Sequence, residues 1–268
     1  MNDRPVEQST TASQPAWPTW VARLTLIIGV AVGGAALVSA LGIWAGLWDF
    51  RTGFALLRPV NSYANWLAGF GLIVTIGLFI FCRLQGMNNG FRLSVLAAVG
   101  TIAAALAYYV PVSYGPPEGV TYPPIHDVST DTVNPPEFVA VLPLRADSPN
   151  SVVYGEASNT TRETLAEMQT EAYPDLVTVM ISEPPDAVFE RALAAVNELG
   201  WELVAQVPEE GRIEATDTTF WFRFKDDVVI RIKPTADGSA IDARSLSRVG
   251  IGDVGTNAKR LRTFFATL

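Results

Sequence analysis

The sequence predicts three membrane-crossing helices followed by a water-soluble α+β domain with an antiparallel sheet. Three observations carry that expectation. Between Arg23 and Asp49, Arg58 and Arg83, and Arg92 and Glu118, no side chain ionises except Tyr and Cys82. Each gap exceeds the roughly 20 residues a helix needs to cross a bilayer. Beyond them the chain turns charged, and from Leu176 onward short apolar-alternating segments are separated by tight turns, which require antiparallel neighbours.

Residues 1–23 are rich in Pro, Ser, Thr and Gln and are expected to form a disordered tail. The first apolar run, Leu24 to Trp48, is longer than the apolar part of a secretory signal, so it reads as an uncleaved helix despite Val38-Ser39-Ala40. The second run centres on Ala64 to Cys82 and the third on Leu93 to Val110, placing the membrane region at 24–110. Trp17, Trp20, Trp44, Trp48, Trp66, Tyr108 and Tyr109 stand near the run ends, where amphipathic rings favour the lipid–water interface. No charged group lies at mid-membrane, which favours an anchor or assembly platform over a transporter. Gly29-x3-Gly33 and Gly42-x3-Gly46 either let helices approach closely or reflect only that Gly is common in membrane helices.

Six of the 19 basic residues but only three of the 27 acidic ones fall in the first 110 positions. The balance is therefore +3 there and −11 beyond. So acidic a domain is a poor match for nucleic acid. The single cysteine excludes an intramolecular disulfide and a Cys-based zinc site. No Lys or Arg occurs from Leu93 to Leu144, so nothing resists translocation of the segment leaving the third helix. The C-terminal domain is accordingly expected outside the cytoplasm, as in the periplasmic part of a bacterial cell envelope anchored in the inner membrane.

The soluble part has two textures. Residues 111–175 hold ten prolines and read as extended, with a short helix over Thr161 to Thr170. Residues 176–268 read as a strand over Leu176–Ile181, a helix over Pro185–Leu199 and strands over Trp201–Val207 and Arg212–Thr218. Phe220–Lys225 then alternates as a further strand, Asp226-Asp227 as a tight turn, and Val228 onward and Ser239–Ser247 as two more strands. A last helix spans about Asp253 to Ala266. Helices would cover one sheet face, through Val228, Ile230 and Ile232, and a helix-grip variant is compatible with this order.

Three places could carry chemistry. On the uncovered sheet face, Trp221, Arg223, Arg231 and Arg244, with Ser247 and Arg248 at the strand end, would form a basic strip able to bind an anionic ligand, a lipid headgroup or an acidic partner. The alternative is a solvated face where those arginines meet Glu214 and Asp242. The Gly-rich turn from Ser245 to Asn257 leads into a helix N-terminus and could hold an anion, unless Asp253 caps that helix itself. The only histidine, His126, stands beside Asp127 and Asp131. These are weak candidates for a metal site, or His126 could serve a hydrolase as base towards Ser129. No nucleotide, zinc-protease or hydrolase motif appears, so no cofactor is implied.

Several segments, in order, resemble the DUF1499 family: Ile125-His126-Asp127-Val128-Ser129-Thr130-Asp131, Asn134-Pro135-Pro136-Glu137-Phe138 and Ala172-Tyr173-Pro174-Asp175. Further on, Gly200-Trp201 and the stretches Arg212–Thr219, Phe224–Arg231, Asp242–Gly250 and Asp253–Ala258 extend it. The resemblance runs from about Pro123 to the C-terminus. It implies a domain of unknown function and transfers no catalytic residue. The reading that follows is a membrane-anchored binding or scaffolding protein embedded in the bilayer. The alternatives are a hydrolase-like enzyme using His126 and nearby acids, or an accessory subunit of a membrane protein complex.

Overall fold

The computed structural model describes residues 15–157 and 159–268. The chain divides after Tyr114 into two compact units.

The described residues of the first unit form three helices, α1 (Trp17–Trp44), α2 (Phe50–Leu84) and α3 (Gly90–Val112), each long and apolar enough to cross a membrane. The tail expected over 1–23 lies outside the described residues as far as 14, and from Trp17 the chain is already helical. Pro18 in the first turn suits that start, because its missing N–H would be unpaired there anyway. Asp49 caps α2, accepting from the Thr52 N–H at 2.9 Å. The first glycine pair serves helix packing: a Cβ on Gly29 would overlap the Gly100 carbonyl, and one on Gly33 would press on Ala103. Backbone therefore meets backbone between α1 and α3. The second pair differs, since Gly42 lies under the Trp48 ring while Gly46, at φ 68°, turns the chain after α1. Thr75 and Thr101 Oγ1 atoms lie 3.2 Å apart across α2 and α3.

The second unit contains a six-stranded antiparallel sheet: β1 (Asp127–Ser129), β2 (Val179–Ile181), β3 (Glu202–Val207), β4 (Arg212–Thr218), β5 (Lys225–Thr235) and β6 (Gly238–Ser247). The order is β1-β6-β5-β4-β3, with β2 also pairing β6, beside its first half. Helices α4 (Arg162–Ala172), α5 (Pro185–Glu198) and α6 (Thr256–Thr267) complete it. Val228, Ile230, Ile232, Ile241 and Ala243 share one sheet face and pack on Val188, Phe189, Ala192, Leu261 and Phe264 of α5 and α6. The helix-covered face is the one the alternation predicts.

Two readings of the sequence are corrected here. Phe220–Lys225 is not a strand: residues 219–224 form the loop joining β4 to β5, stapled by Thr219, whose N–H donates to the Phe224 carbonyl while its Oγ1 accepts from the Phe224 N–H. Arg223 sits at φ 54°, incompatible with extended backbone. Asp226-Asp227 is not a turn but lies within β5, fully inside the domain. Adjacent strand residues point to opposite faces, and each of these carboxylates meets arginine on its own side. Asp226 accepts from Arg260 of α6 at 2.6 Å, and Asp227 accepts from Arg145 and Arg248. Those partners make burial of two neighbouring charges affordable.

Candidate functional site

The second sheet face decides what the arginines do. By strand register Glu214, Val229 and Arg244 form one row across it, flanked by Arg212, Arg231 and Asp242 and by Thr216, Asp227 and Leu246. This face is neither solvated nor open. The irregular segment 131–156 lies over it, with Phe138 and Val141 packed on Val229 and Leu246.

Ionic anchors hold that segment down. Glu214, 0 % exposed, accepts from the backbone N–H groups of Val139, Ala140 and Val141 at 2.9–3.1 Å and also pairs with Arg212. Arg231 bridges Asp131 and Asp242 at 2.9 and 2.8 Å and donates to the Asn134 carbonyl. Arg145 reaches inward to Asp227, which Arg248 grips with Nε and Nη2 at 2.9 and 2.8 Å. Burial works to raise the Asp227 carboxyl, but hydrogen bonds from Arg248, Thr216 and Arg145 outweigh it and hold the group below the usual carboxylate range. Arg244, 2 % exposed, binds Asp127 through two bonds, donates to the Pro136 and Val152 carbonyls, and lies 5.1 Å from the Phe138 ring centroid and 5.4 Å from that of Tyr154.

The expected basic strip is therefore corrected. Arg231, Arg244 and Arg248 are interior clamps whose carboxylate and carbonyl partners come from up to 117 residues away in sequence. Ser247 lies on the other face, its hydroxyl accepting from Asn257 at 2.9 Å. Trp221 and Arg223 sit in the β4–β5 loop rather than on a strand. The Gly-rich turn is filled by its own carboxylate: Asp253 accepts from the Gly255 and Asn257 N–H groups at 2.8 Å each, capping α6 as the sequence suggested. Burial pushes its carboxyl up.

His126, Asp127 and Asp131 do not converge. Among the described residues no three His, Cys, Asp or Glu side chains gather as a metal site would need. Asp127 and Asp131 belong to Arg244 and Arg231, and the Ser129 hydroxyl donates to the Asp131 carbonyl rather than to His126. An acid–base assembly of His126 with these neighbours has thus lost its parts.

His126 instead lines a narrow cleft of about 10 Å³, together with Asp127, Ser151, Glu156, Asn159 and Thr160, over a floor of Ile125 and Leu165. The ring is 6 % exposed, and Nδ1 stands 3.0 Å from the Ile251 carbonyl. A carbonyl can only accept, so Nδ1 carries a proton, and in the neutral form of the ring Nε2 is the nitrogen with the lone pair. Ser151 donates to Glu156 at 2.8 Å, and Asn159 Nδ2 holds the Pro124 carbonyl at 2.8 Å, closing the cleft's rim.

A family model described as a protein of unknown function (DUF1499) matches residues 127–268. The chain belongs to the DUF1499 family. No curated protein matches it. The DUF1499 match takes in the whole sheet, the segment 131–156 and all three helices of the second unit, and it stops one residue short of His126. Ser151, Glu156, Asn159 and Thr160 escaped the sequence reading because the proline-rich stretch has no periodicity to place them. The one available signal was Asn159-Thr160 ahead of α4.

Proposed function

We propose that this DUF1499 protein is a membrane-anchored binding module whose C-terminal domain lies outside the cytoplasm and whose ligand site is the His126 cleft. What supports the ligand site is the bond of His126 Nδ1 to the Ile251 carbonyl, which in the neutral ring leaves Nε2 as an acceptor on a side chain that lines the recess. Glu156, exposed at the same cleft, supplies further acceptors. Acceptors favour a ligand that donates hydrogen bonds, such as a small hydroxyl- or amine-bearing group. An anion is disfavoured here, since the arginines that would have received it are committed inside. With about 10 Å³ inside, room for about one water, the recess takes a single hydroxyl or ammonium group reaching in from its mouth rather than a whole small molecule.

Support for the orientation comes from the absence of Lys and Arg between Leu93 and Leu144, which leaves the exit from α3 without charges that resist translocation.

The test is mass spectrometry of small molecules released from full-length protein extracted in mild detergent, compared with His126→Phe. A hydroxyl- or amine-bearing compound recovered from the wild type and lost from a variant of unchanged melting temperature supports the reading. A compound retained equally by the variant, or none from either, contradicts it.

A further inference from the structure

Around the His126 recess the polar side chains have their hydrogens committed within the protein. Ser151 Oγ donates to Glu156 Oε2 at 2.8 Å and accepts from the Val153 N–H at 3.2 Å. Thr160 Oγ1 donates to the Gly155 carbonyl at 3.3 Å. His126 Nδ1 donates to the Ile251 carbonyl, and Asn159 Nδ2 gives one of its two hydrogens to the Pro124 carbonyl. Both Asp127 oxygens are held by Arg244. Among the described residues nothing bonds to His126 Nε2, Glu156 Oε1 or Asn159 Oδ1, and the second Nδ2 hydrogen of Asn159 is the one side-chain donor of the lining left over. The recess is a set of acceptors.

Charge points the same way. Asp127 and Glu156 line the recess, and among the described residues no Lys or Arg does. Arg244 neutralises Asp127, whereas Glu156 is exposed and bonded only to a neutral serine. Arg162, whose backbone backs Gly155, turns its guanidinium to the Val133 carbonyl. The excess of acidic over basic residues beyond position 110 further draws cations to this domain.

We infer, on the reading that the His126 recess is the ligand site, that it selects a primary ammonium group over a hydroxyl. An ammonium brings three hydrogens and no lone pair, so each hydrogen can meet one of the free acceptors. A hydroxyl brings one hydrogen and two lone pairs, and those lone pairs would face acceptors. Glu156 adds a charge-assisted bond, roughly twice as strong as a neutral one. At about 10 Å³ the recess admits the ammonium head alone, with the rest of its carrier outside.

The experiment follows the imidazole nitrogens of [15N]histidine in full-length protein in detergent micelles at about pH 8, where alkylamines are protonated. Methylammonium, methanol and tetramethylammonium are added at equal concentration. Methylammonium should move the Nε2 resonance while methanol and tetramethylammonium leave it in place, and Glu156→Gln should weaken the methylammonium response about tenfold. Methanol acting as strongly as methylammonium overturns the selectivity and leaves the recess standing as a ligand site. Tetramethylammonium acting as strongly also overturns it, because charge without N–H donors would then suffice. If none of the three moves Nε2, the recess itself fails as a ligand site, and the ammonium preference fails with it. Phosphatidylethanolamine in the micelle, set against phosphatidylcholine, separates the sources: an Nε2 shift with the first alone supports a lipid-borne ammonium, and a response confined to methylammonium supports a soluble amine.

Discussion

Arg244 grips both carboxylate oxygens of Asp127, Nε at 2.8 Å and Nη2 at 2.7 Å, inside the domain and across 117 residues of sequence. Nη1 donates to the Pro136 carbonyl and Nη2 also to that of Val152, at two ends of the segment that covers the sheet. One guanidinium thus ties the first strand of the domain, its sixth, and an irregular stretch between them. Such a pair adds little net stability over apolar residues of equal shape, since both charges are desolvated. What it adds is register, by giving a chain without ladder hydrogen bonds only one place to lie.

Removing one partner should therefore be far worse than removing both. Asp127→Ala is expected to cost about 3–5 kcal/mol by leaving Arg244 buried and uncompensated. Asp127→Leu with Arg244→Met should cost markedly less than either single change. Urea unfolding of the C-terminal unit followed by tryptophan fluorescence measures both, and equal costs for single and double variants would deny the coupling.

Arg231→Gln with Arg244→Gln separates clamp from recognition surface. Interior clamps predict a large fall in melting temperature, since both carry buried carboxylates. Calorimetry showing near-native melting would restore the idea of an open strip.

Acid should act through Asp227. Its folded-state affinity for protons is depressed, so its contribution is present above the ordinary carboxylate range and is lost as pH falls below it. Stability should drop steeply below about pH 4. Asp227→Asn should be less stable at neutral pH and show a shallower acid limb in a melting-temperature profile. Tyr173 works at the other extreme: burial pushes its hydroxyl up to about 12, so stability falls as pH rises from about 10 towards that value.

In the membrane unit, Gly100→Val should break the contact between α1 and α3, because any Cβ there meets the Thr25 carbonyl and Leu26 backbone. Overpacking of this kind costs typically about 1–3 kcal/mol, and backbone contact places it at the upper end. Gly34→Val, in open space on α1, is the control and should be neutral. Melting of detergent-solubilised protein compares them.

Much of the fold was legible because burial repeats with a period. The three spans, α5, β4 and β6 follow from apolar spacing, and the covered face of the sheet follows from Val228, Ile230 and Ile232. The errors have one cause. Phe220 to Lys225 alternates like a strand and Asp226-Asp227 resembles a turn, yet loop and strand are exchanged because three arginines from distant segments neutralise the two aspartates. β1 went unplaced for a similar reason, being a three-residue strand inside the proline-rich stretch, where no alternation marks it. Local pattern cannot show a partner a hundred residues away. A cue was present in the number of arginines sharing strand parity with aspartates, which is more easily satisfied by pairing inside than by a face open to water. The candidate site was half legible: His126 stood out by being alone, while Ser151, Glu156 and Asn159 joined it only through tertiary structure.

The central claim is that His126 presents Nε2 to a ligand from a ring fixed by the Ile251 carbonyl. Because the chain has one histidine, untagged full-length protein labelled with [15N]histidine gives one imidazole signal pair, recorded with and without the small-molecule extract of its own cells. The account predicts the Nδ1–H tautomer, with the Nε2 resonance shifting on addition of extract while Nδ1 stays bonded. An Nε2–H tautomer, or a pair of signals unmoved by the extract, would contradict it.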